Sequence, residues 1–80
     1  MTEFDAELDA VGLLCPLPVL KARKRMAGLA IGQVLRMQTD DPAALIDVPH
    51  FCEEDGHTLL DQNDDQDATT FLIRKGERTA

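Results

Sequence analysis

The chain has 80 residues, with 15 acidic and 8 basic side chains and a net charge of −7 at pH 7. A chain this short buries only roughly 60% of the surface that its unfolded form exposes, which excludes a deep catalytic cavity. We therefore expect a single domain over residues 1–80, with its core at about 7–76. The acidic balance opposes direct binding to a nucleic acid backbone and favours partners with positive surfaces.

The start of the chain and its cysteines indicate a cellular compartment. Residues 1–9 are acidic and lack the basic segment and apolar run of a secretory signal. No apolar stretch approaches the roughly 20 residues needed to cross a bilayer. Cys15 and Cys52 have no second cysteine nearby, so neither a zinc knuckle nor a redox pair is expected. These features predict a protein of the reducing cytoplasm with two free thiols.

A short strand is predicted at residues 7–11, and the glycine after it favours a turn. A helical period then starts at Pro18, and Gly28 and Gly32 bracket its end. Prolines suit a first helical turn because their missing amide hydrogen would have no helical partner there, and Pro16 and Pro18 both mark this start. One half of the helix is apolar, with Val19, Leu20, Ala22, Met26, Ala27, Leu29 and Ala30, and the other half carries Lys21, Lys24 and Arg25.

A second strand and a second helix follow. Residues 33–39 alternate apolar and polar side chains, which predicts a strand with one buried face. Asp41 is expected to cap a helix that begins at Pro42 and continues to about residue 55. Pro49 is expected to kink or interrupt that helix. The apolar face of the helix is predicted to contain Leu45, Val48 and Cys52.

The closing segment and the order of the elements predict the fold. Residues 58–62 and 69–75 are strand-like around a polar turn at 63–67, which indicates a hairpin. A right-handed crossover makes the first two strands parallel, and one apolar face per strand puts both helices on one side. The predicted fold class is α/β: a two-layer α/β sandwich in the order βαβαββ, with a four-stranded mixed sheet and two helices on one face.

Cys15 carries the clearest chemical signal in the chain. It stands immediately before the first helix, where backbone amides and the macrodipole favour negative charge, so we expect a lowered thiol pKa. Pro16 and Pro18 stiffen the backbone and fix the direction of the sulfur. No Ser/His/Asp order, second redox cysteine or phosphate loop accompanies it, so we expect Cys15 to act without a local base. The residues alone leave another interpretation open, because a lone cysteine is often a small buried hydrophobe.

The segment from Leu8 to Val19 resembles the signature of the TusA (SirA-like) sulfur carriers, whose mark is Cys-Pro-x-Pro at a helix start. The resemblance implies an αβ sandwich in which the cysteine at position 15 accepts sulfane sulfur from a pyridoxal-phosphate cysteine desulfurase. It also implies that the persulfide passes its sulfur to a relay of thiol proteins and finally to the 2-position of wobble uridine in transfer RNA. The likeness covers nearly the whole chain and continues at Arg23, Lys24, residues 40–43, Asp47, Pro49, Phe51, Cys52, His57 and residues 71–76.

The resemblance makes the protein an enzyme only in the limited sense of a persulfide sulfurtransferase. The expected partners are a cysteine desulfurase as donor and a downstream thiol relay protein as acceptor, without nucleic acid or membrane binding. No cofactor and no metal are expected, and the free protein is expected to be a monomer. Two alternatives stay open: the same carrier chemistry in sulfur oxidation or molybdenum cofactor sulfuration, and a regulatory interaction module whose cysteine is structural.

Other polar residues have simpler structural interpretations. Cys52 could be a resolving thiol, but its place on an apolar stripe favours a buried, inert role. His50 and His57 could bind a metal with Cys52, yet no fourth ligand has suitable spacing. Asp40 and Asp41 could suggest acid/base work, although a helix cap explains them more simply.

The basic residues of the first helix allow two interpretations. Lys21, Lys24 and Arg25 form either an ordinary solvated face or, together with Arg23, a docking surface beside Cys15. Arg23 projects into the apolar half of the helix. Either its stem covers the edge of the core while its charge reaches water, or it leans back towards the Cys15 end.

Overall fold

A computed structural model of the protein describes residues 4–65 and 67–77. Its elements follow the predicted order βαβαββ. No helix within these ranges is long and apolar enough to cross a bilayer. The elements are β1 (Ala6–Asp9), α1 (Leu17–Ala27), β2 (Val34–Thr39), α2 (Ala44–Asp55), β3 (Thr58–Asp64) and β4 (Thr69–Arg74).

The four strands form one mixed sheet in the order β1-β2-β4-β3. β1 pairs with β2 in parallel, with Leu8 opposite Met37, and β4 runs antiparallel to both β2 and β3. The register of the last pair shifts between Leu59 and Asp61, which marks a bulge in β3. The predicted parallel pair and closing hairpin are therefore confirmed.

Both helices pack on one face of the sheet, and the core lies between the two layers. In β2 burial alternates along the strand, with Leu35, Met37 and Thr39 buried, as a strand with one covered face requires. The protein measures 32 × 28 × 17 Å, and the short dimension fits two layers. The buried side chains that meet in this core are Ala10, Ala22, Met26, Leu35, Met37, Ala44, Val48, Phe51, Cys52, Phe71 and Ile73.

The buried stripe of α1 is narrower than predicted. Leu20 is 48% exposed, Ala27 is exposed, and Ala30 lies beyond the end of the helix, so the buried stripe is narrower than the predicted apolar half. A helix that covers one face of a sheet presents only a narrow stripe to it, because solvent reaches both flanks. That stripe consists of Pro18, Ala22 and Met26.

The end of α1 is held by a residue distant in sequence. The Lys75 ammonium group donates to the carbonyl oxygens of Leu29 at 2.6 Å and Ala27 at 3.4 Å. A cation at this point suits the negative end of the helix macrodipole. Lys75 also pairs its backbone amide with the Gln33 carbonyl at 2.8 Å, so the end of α1 is tied to the sheet.

α2 begins later than predicted. The Ala44 amide donates to the Asp41 carbonyl, and the Leu45 amide donates to the Pro42 carbonyl, at 3.0 and 3.2 Å. These three-residue spacings form a tighter turn ahead of the α-helix, which therefore starts at Ala44 rather than at Pro42. The residue that flanks the α-helix proper is Ala43, which makes no side-chain cap. Asp41 instead caps the tighter turn ahead of the helix, because its carboxylate accepts the Ala43 amide at 3.1 Å.

α2 also runs through Pro49 without interruption, so an interruption of the helix at Pro49 is excluded. A proline leaves the carbonyl four residues earlier without a helical partner. Here that carbonyl belongs to Leu45, an exposed residue of the first turn, where water can supply the bond. Leu45 is 41% exposed, so its predicted place on the buried face is wrong. The buried stripe consists of Ala44, Val48, Phe51 and Cys52.

The other boundaries shift by one or two residues. β1 ends at Asp9 rather than at residue 11, because the Asp9 carboxylate accepts the Val11 amide at 3.0 Å and turns the chain. β3 continues to Asp64, so the hairpin turn is shorter than the predicted 63–67. Residue 66 of that turn lies outside the described residues.

Candidate functional site

The loops that follow β1 and β2 meet at the end of the sheet where both strands finish. The two strands are parallel, so their carboxyl ends lie side by side, and the crevice beyond such ends is a common place for functional residues. The Asp40 carboxylate accepts the Gly12 amide at 2.9 Å, and the Asp41 carboxylate accepts the Cys15 amide at 2.6 Å. Two aspartates after β2 thus hold the loop that carries Cys15.

Asp41 is itself fixed from two further directions. Its amide donates to the Thr39 hydroxyl at 3.3 Å, and Thr39 is buried. The second oxygen of its carboxylate accepts the Ala43 amide at 3.1 Å. Asp41 therefore links the sheet, the start of α2 and the backbone of Cys15. This role could have been found in the sequence, because both loops follow strands predicted to be parallel.

The Cys15 thiol is exposed and faces α2. Its sulfur donates to Oδ2 of Asp47 at 3.0 Å, and Asp47 lies in the first turn of α2. An acidic side chain that the sequence analysis did not assign to the site therefore lies beside Cys15. Asp47 stands between the buried residues Ala44 and Val48 in sequence, at the inner edge of the helix, and this position was the available signal.

Asp47 changes the acidity of Cys15 in the direction opposite to the prediction. The hydrogen bond to the Asp47 carboxylate raises the pKa of the Cys15 thiol, because the bond favours the protonated form. Desolvation and the negative charges of Asp47 and Asp41 raise it further. The expected lowering of this pKa by the helix start is therefore wrong.

The start of α1 has few amide hydrogens to offer a thiolate. Pro16 and Pro18 have none, and the Leu17 amide already donates to the Leu14 carbonyl at 2.9 Å. The Cys15–Pro16 peptide bond is cis. The partial charge of a helix end acts largely through its unpaired amides. A full carboxylate charge 3.0 Å from the sulfur outweighs what remains.

Large apolar side chains next to Cys15 and Asp47 in sequence are exposed to solvent. Leu14 is 71% exposed, Leu17 is 46% exposed, and Ile46 at the start of α2 is 75% exposed. The thiol lies in a shallow depression that Val19 and Asp47 also line. Such a surface cannot enclose a small molecule, but it can meet the surface of another protein.

Cys52 has the opposite environment. Its side chain is buried in α2, as predicted, and both cysteines are free thiols. Burial raises the pKa of Cys52 to about 11, with a further contribution from the negative charge of Asp55. A thiol with this pKa is almost entirely protonated at neutral pH.

The two histidines make contacts that do not involve Cys15. The His57 ring accepts the Gly76 amide at Nδ1, 3.1 Å away, and packs against Phe51 with the ring centroids 5.4 Å apart. Burial lowers the pKa of His57. His50 lies 3.4 Å from Glu54, one helical turn later. Within residues 4–65 and 67–77, no cluster of His, Cys, Asp and Glu could hold a metal ion.

Arg23 adopts the first of its two predicted arrangements. Its guanidinium donates to the Asp55 carboxylate at 3.3 Å and lies 5.3 Å from the centroid of the Phe51 ring. It therefore covers the edge of the core near the end of α2 and does not lean back towards Cys15. The remaining basic residues of this helix are exposed and form no ion pair within the part of the chain that the structure describes: Lys21, Lys24 and Arg25.

Known proteins match the chain over nearly its whole length. The family described as Sulfurtransferase TusA matches residues 6–75. The Sulfur carrier protein TusA of Allochromatium vinosum is 40% identical over 75 residues, which cover 94% of this chain and 99% of that protein. The crystal structure of the SirA-like protein from Desulfitobacterium hafniense has a TM-score of 0.79 and 27% identity, over 91% of this chain and 100% of that one. These matches span the loop of Cys15 and the start of α2.

Proposed function

The chain belongs to the TusA family of sulfur carriers, and from that premise we propose that Cys15 holds the transferable sulfur as a persulfide. The observation that carries the proposal is the exposed Cys15 thiol in a shallow, apolar-rimmed surface. The other thiol of the chain, Cys52, is buried and can meet no partner without unfolding. Family membership also supports the expectation, drawn from the Cys-Pro-x-Pro segment, that Cys15 accepts sulfane sulfur.

The transfer needs little from the carrier beyond a presented sulfur. The sulfur of Cys15 attacks the outer sulfur of a donor persulfide, so the donor's S–S bond breaks as the new S–S bond forms on Cys15. The donor leaves as a thiolate and takes up a proton, while Cys15 gives up its own. Because the thiolate is the attacking species, the raised pKa of Cys15 means that the free carrier reacts slowly until a partner docks.

The partners in this proposal are proteins of the cytoplasm. A cysteine desulfurase supplies the sulfur, a downstream thiol protein receives it, and the final product is the 2-thiolated wobble uridine of transfer RNA. The net charge of −7 supports passage between proteins rather than contact with the RNA itself. Lys21, Lys24 and Arg25 supply a local basic surface for docking. Arg23 contributes less to it, because Asp55 and Phe51 already engage its side chain.

Loading by a desulfurase tests the proposal directly. The protein is incubated with a cysteine desulfurase and cysteine, and intact mass is measured before and after dithiothreitol. We expect the mass of one sulfur atom to appear and to be removed by the reductant. A sulfinic acid adds nearly the same mass but survives the thiol, so the reduction step is essential.

Two matched variants locate the sulfur. Cys15→Ser should take up none, whereas Cys52→Ser should load like the wild type. Loading of Cys15→Ser, or absence of reducible sulfur on the wild type, would refute the proposal. Thiolated-uridine levels in a deletion strain then test the pathway, and normal levels would exclude transfer RNA as its end point.

A further inference from the structure

The hydrogen bond between Cys15 and Asp47 can exist only in the empty carrier. We propose that Asp47 sets how tightly Cys15 holds its sulfur: its carboxylate favours the empty thiol over the persulfide and so biases the carrier towards release. This inference rests on the proposed persulfide function. Asp47 is a positioning residue in this scheme, since it acts on the sulfur without forming a bond to the cargo.

The geometry supplies the first step. The sulfur of Cys15 lies 3.0 Å from Oδ2 of Asp47, with the thiol hydrogen between them. Loading replaces that hydrogen by a sulfur atom, so the sulfur of Cys15 loses its only hydrogen and can no longer donate. The Asp47 carboxylate then loses a bond that it had in the empty state.

Charge supplies the second step. Persulfides are more acidic than the corresponding thiols, so the outer sulfur of the loaded carrier is largely anionic at neutral pH. The carboxylates of Asp41 and Asp47 lie beside it and repel it. None of the ion pairs among the described residues involves either aspartate, so within that part of the chain no cation is in contact with them.

The third step is the fixed position of these groups. The Asp41 carboxylate is held by the amides of Cys15 and Ala43, and Asp47 lies within the helix α2. The Asp41 carboxylate cannot move away from the loaded sulfur without breaking these two bonds, and the backbone of Asp47 stays beside that sulfur because it belongs to the helix. The loaded carrier is therefore destabilised until the sulfur leaves, or until a docked partner places a cation beside these carboxylates.

Exchange with a low-molecular-weight thiol measures this bias. Glutathione persulfide and Cys15 thiol give glutathione and Cys15 persulfide: one S–S bond breaks, one forms, and the Cys15 proton ends on the glutathione sulfur. The transferred sulfur keeps its oxidation state, so no oxidant or reductant is consumed. The ratio of loaded to empty carrier at a fixed ratio of the two glutathione species gives the equilibrium constant.

Asp47→Asn tests the inference, because asparagine keeps the shape and removes the charge. We expect its equilibrium constant for loading to rise about fivefold, as loss of one hydrogen bond and one nearby charge at an exposed site suggests. Asp61→Asn is the matched control, since it removes one charge from β3, the strand at the far side of the sheet from β1. The Asp61 carboxylate accepts the adjacent Gln62 amide at 3.0 Å. The constant of Asp61→Asn should equal that of the wild type.

A second measurement separates failure of this inference from failure of the proposed function. The rate of Cys15 alkylation against pH should shift to lower pH in Asp47→Asn, whether or not the protein carries sulfur. A wild type that loads, with an Asp47→Asn variant unchanged in both loading and alkylation, overturns the inference and leaves the carrier function standing. A wild type that takes up no reducible sulfur overturns both, and the alkylation shift then reports the contact alone.

Folding of the variant is checked by thermal melting. If Asp47→Asn does not fold, Asp47→Ser removes the same charge with a smaller side chain and should change loading in the same direction. An unchanged constant in a folded Asp47→Ser variant would equally overturn the inference.

Discussion

The two cysteines of this protein place the same chemical group in opposite environments. Cys15 is exposed at the edge where β1 and β2 end, and a carboxylate hydrogen bond is the main cause of its raised pKa. Cys52 is buried on α2, and desolvation is the main cause of its raised pKa, which reaches about 11. Both thiols are therefore protonated at rest, but a docking partner can relieve only the first cause. Access and the nature of the neighbouring group, more than resting acidity, distinguish a carrier thiol from a structural one.

The largest expected difference between the two thiols is in their rates of alkylation. Under native conditions we expect Cys15 to react about a thousandfold faster than Cys52, because Cys52 reacts only when the core opens at a cost of several kcal/mol. Labelling with iodoacetamide at pH 8, followed by peptide mapping, measures both rates in one sample. In urea the two rates should become equal, and unequal rates there would show that exposure is not the cause.

A substitution at Gly76, which lies beside the end of α2, should destabilise the fold without changing the reactivity of Cys15. A Cβ atom on Gly76 would collide with the carbonyl oxygen of Gly56, which is backbone and cannot turn aside. We expect Gly76→Ala to lower the free energy of unfolding by about 2 kcal/mol, measured by urea denaturation. Gly28→Ala is the control, since its Cβ would make only ordinary contact with the Arg25 carbonyl. Equal losses in the two variants would contradict the role of close backbone approach.

Loss of Asp41 should disturb the loop that carries Cys15 and leave the rest of the fold intact. Asp41→Ala removes the acceptor of the Cys15 and Ala43 amides, so the loop that presents the thiol loses its position. We expect the rate of loading by a desulfurase to fall about tenfold, as misplacement of a reacting group by a fraction of an ångström produces.

The control for this variant is Asp61→Asn, which should load at the wild-type rate. Peptide mapping of the alkylated Asp41→Ala variant should also show Cys52 still protected. Exposure of Cys52 would mean that the whole fold, and not one loop, depends on Asp41.

The smallest expected effect concerns pH and His57. The folded pKa of His57 is lowered by burial below the usual value of about 6.5. Below that pH the unfolded state binds a proton at His57 more readily than the folded state does. The contribution of His57 to the free energy of unfolding is therefore present above pH 6.5 and is lost as the pH falls. Protonation at Nδ1 would also remove the acceptor of the Gly76 amide.

Between pH 7 and pH 5.5 we expect the wild type to lose more free energy of unfolding than His57→Gln, by less than about 1 kcal/mol. Urea denaturation of both proteins at the two pH values measures this difference. Taking the difference cancels the titration of the carboxylates that both proteins share. An equal pH dependence of the two proteins would show that His57 does not contribute.

Much of the fold follows from patterns within single elements. The order of strands and helices, the parallel first pair and the hairpin were all predicted, because alternation, helical period and turn residues are local properties. The errors lie where an element meets its neighbours. The helical period placed Leu20 and Leu45 on apolar faces, but both are exposed, because the width of the buried stripe depends on how the helix lies on the sheet.

The sequence by itself determined that Cys15 stands at a proline-framed helix start, and it identified the family to which this segment belongs. Only the tertiary structure decided the chemistry beside that sulfur. Asp41 and Asp47 follow Cys15 by 26 and 32 positions, yet one binds its amide and the other its thiol. A local pattern reports the helix dipole but cannot report a carboxylate brought from another helix. Because that full charge acts at hydrogen-bonding distance, it reverses the direction in which the helix alone would shift the thiol pKa.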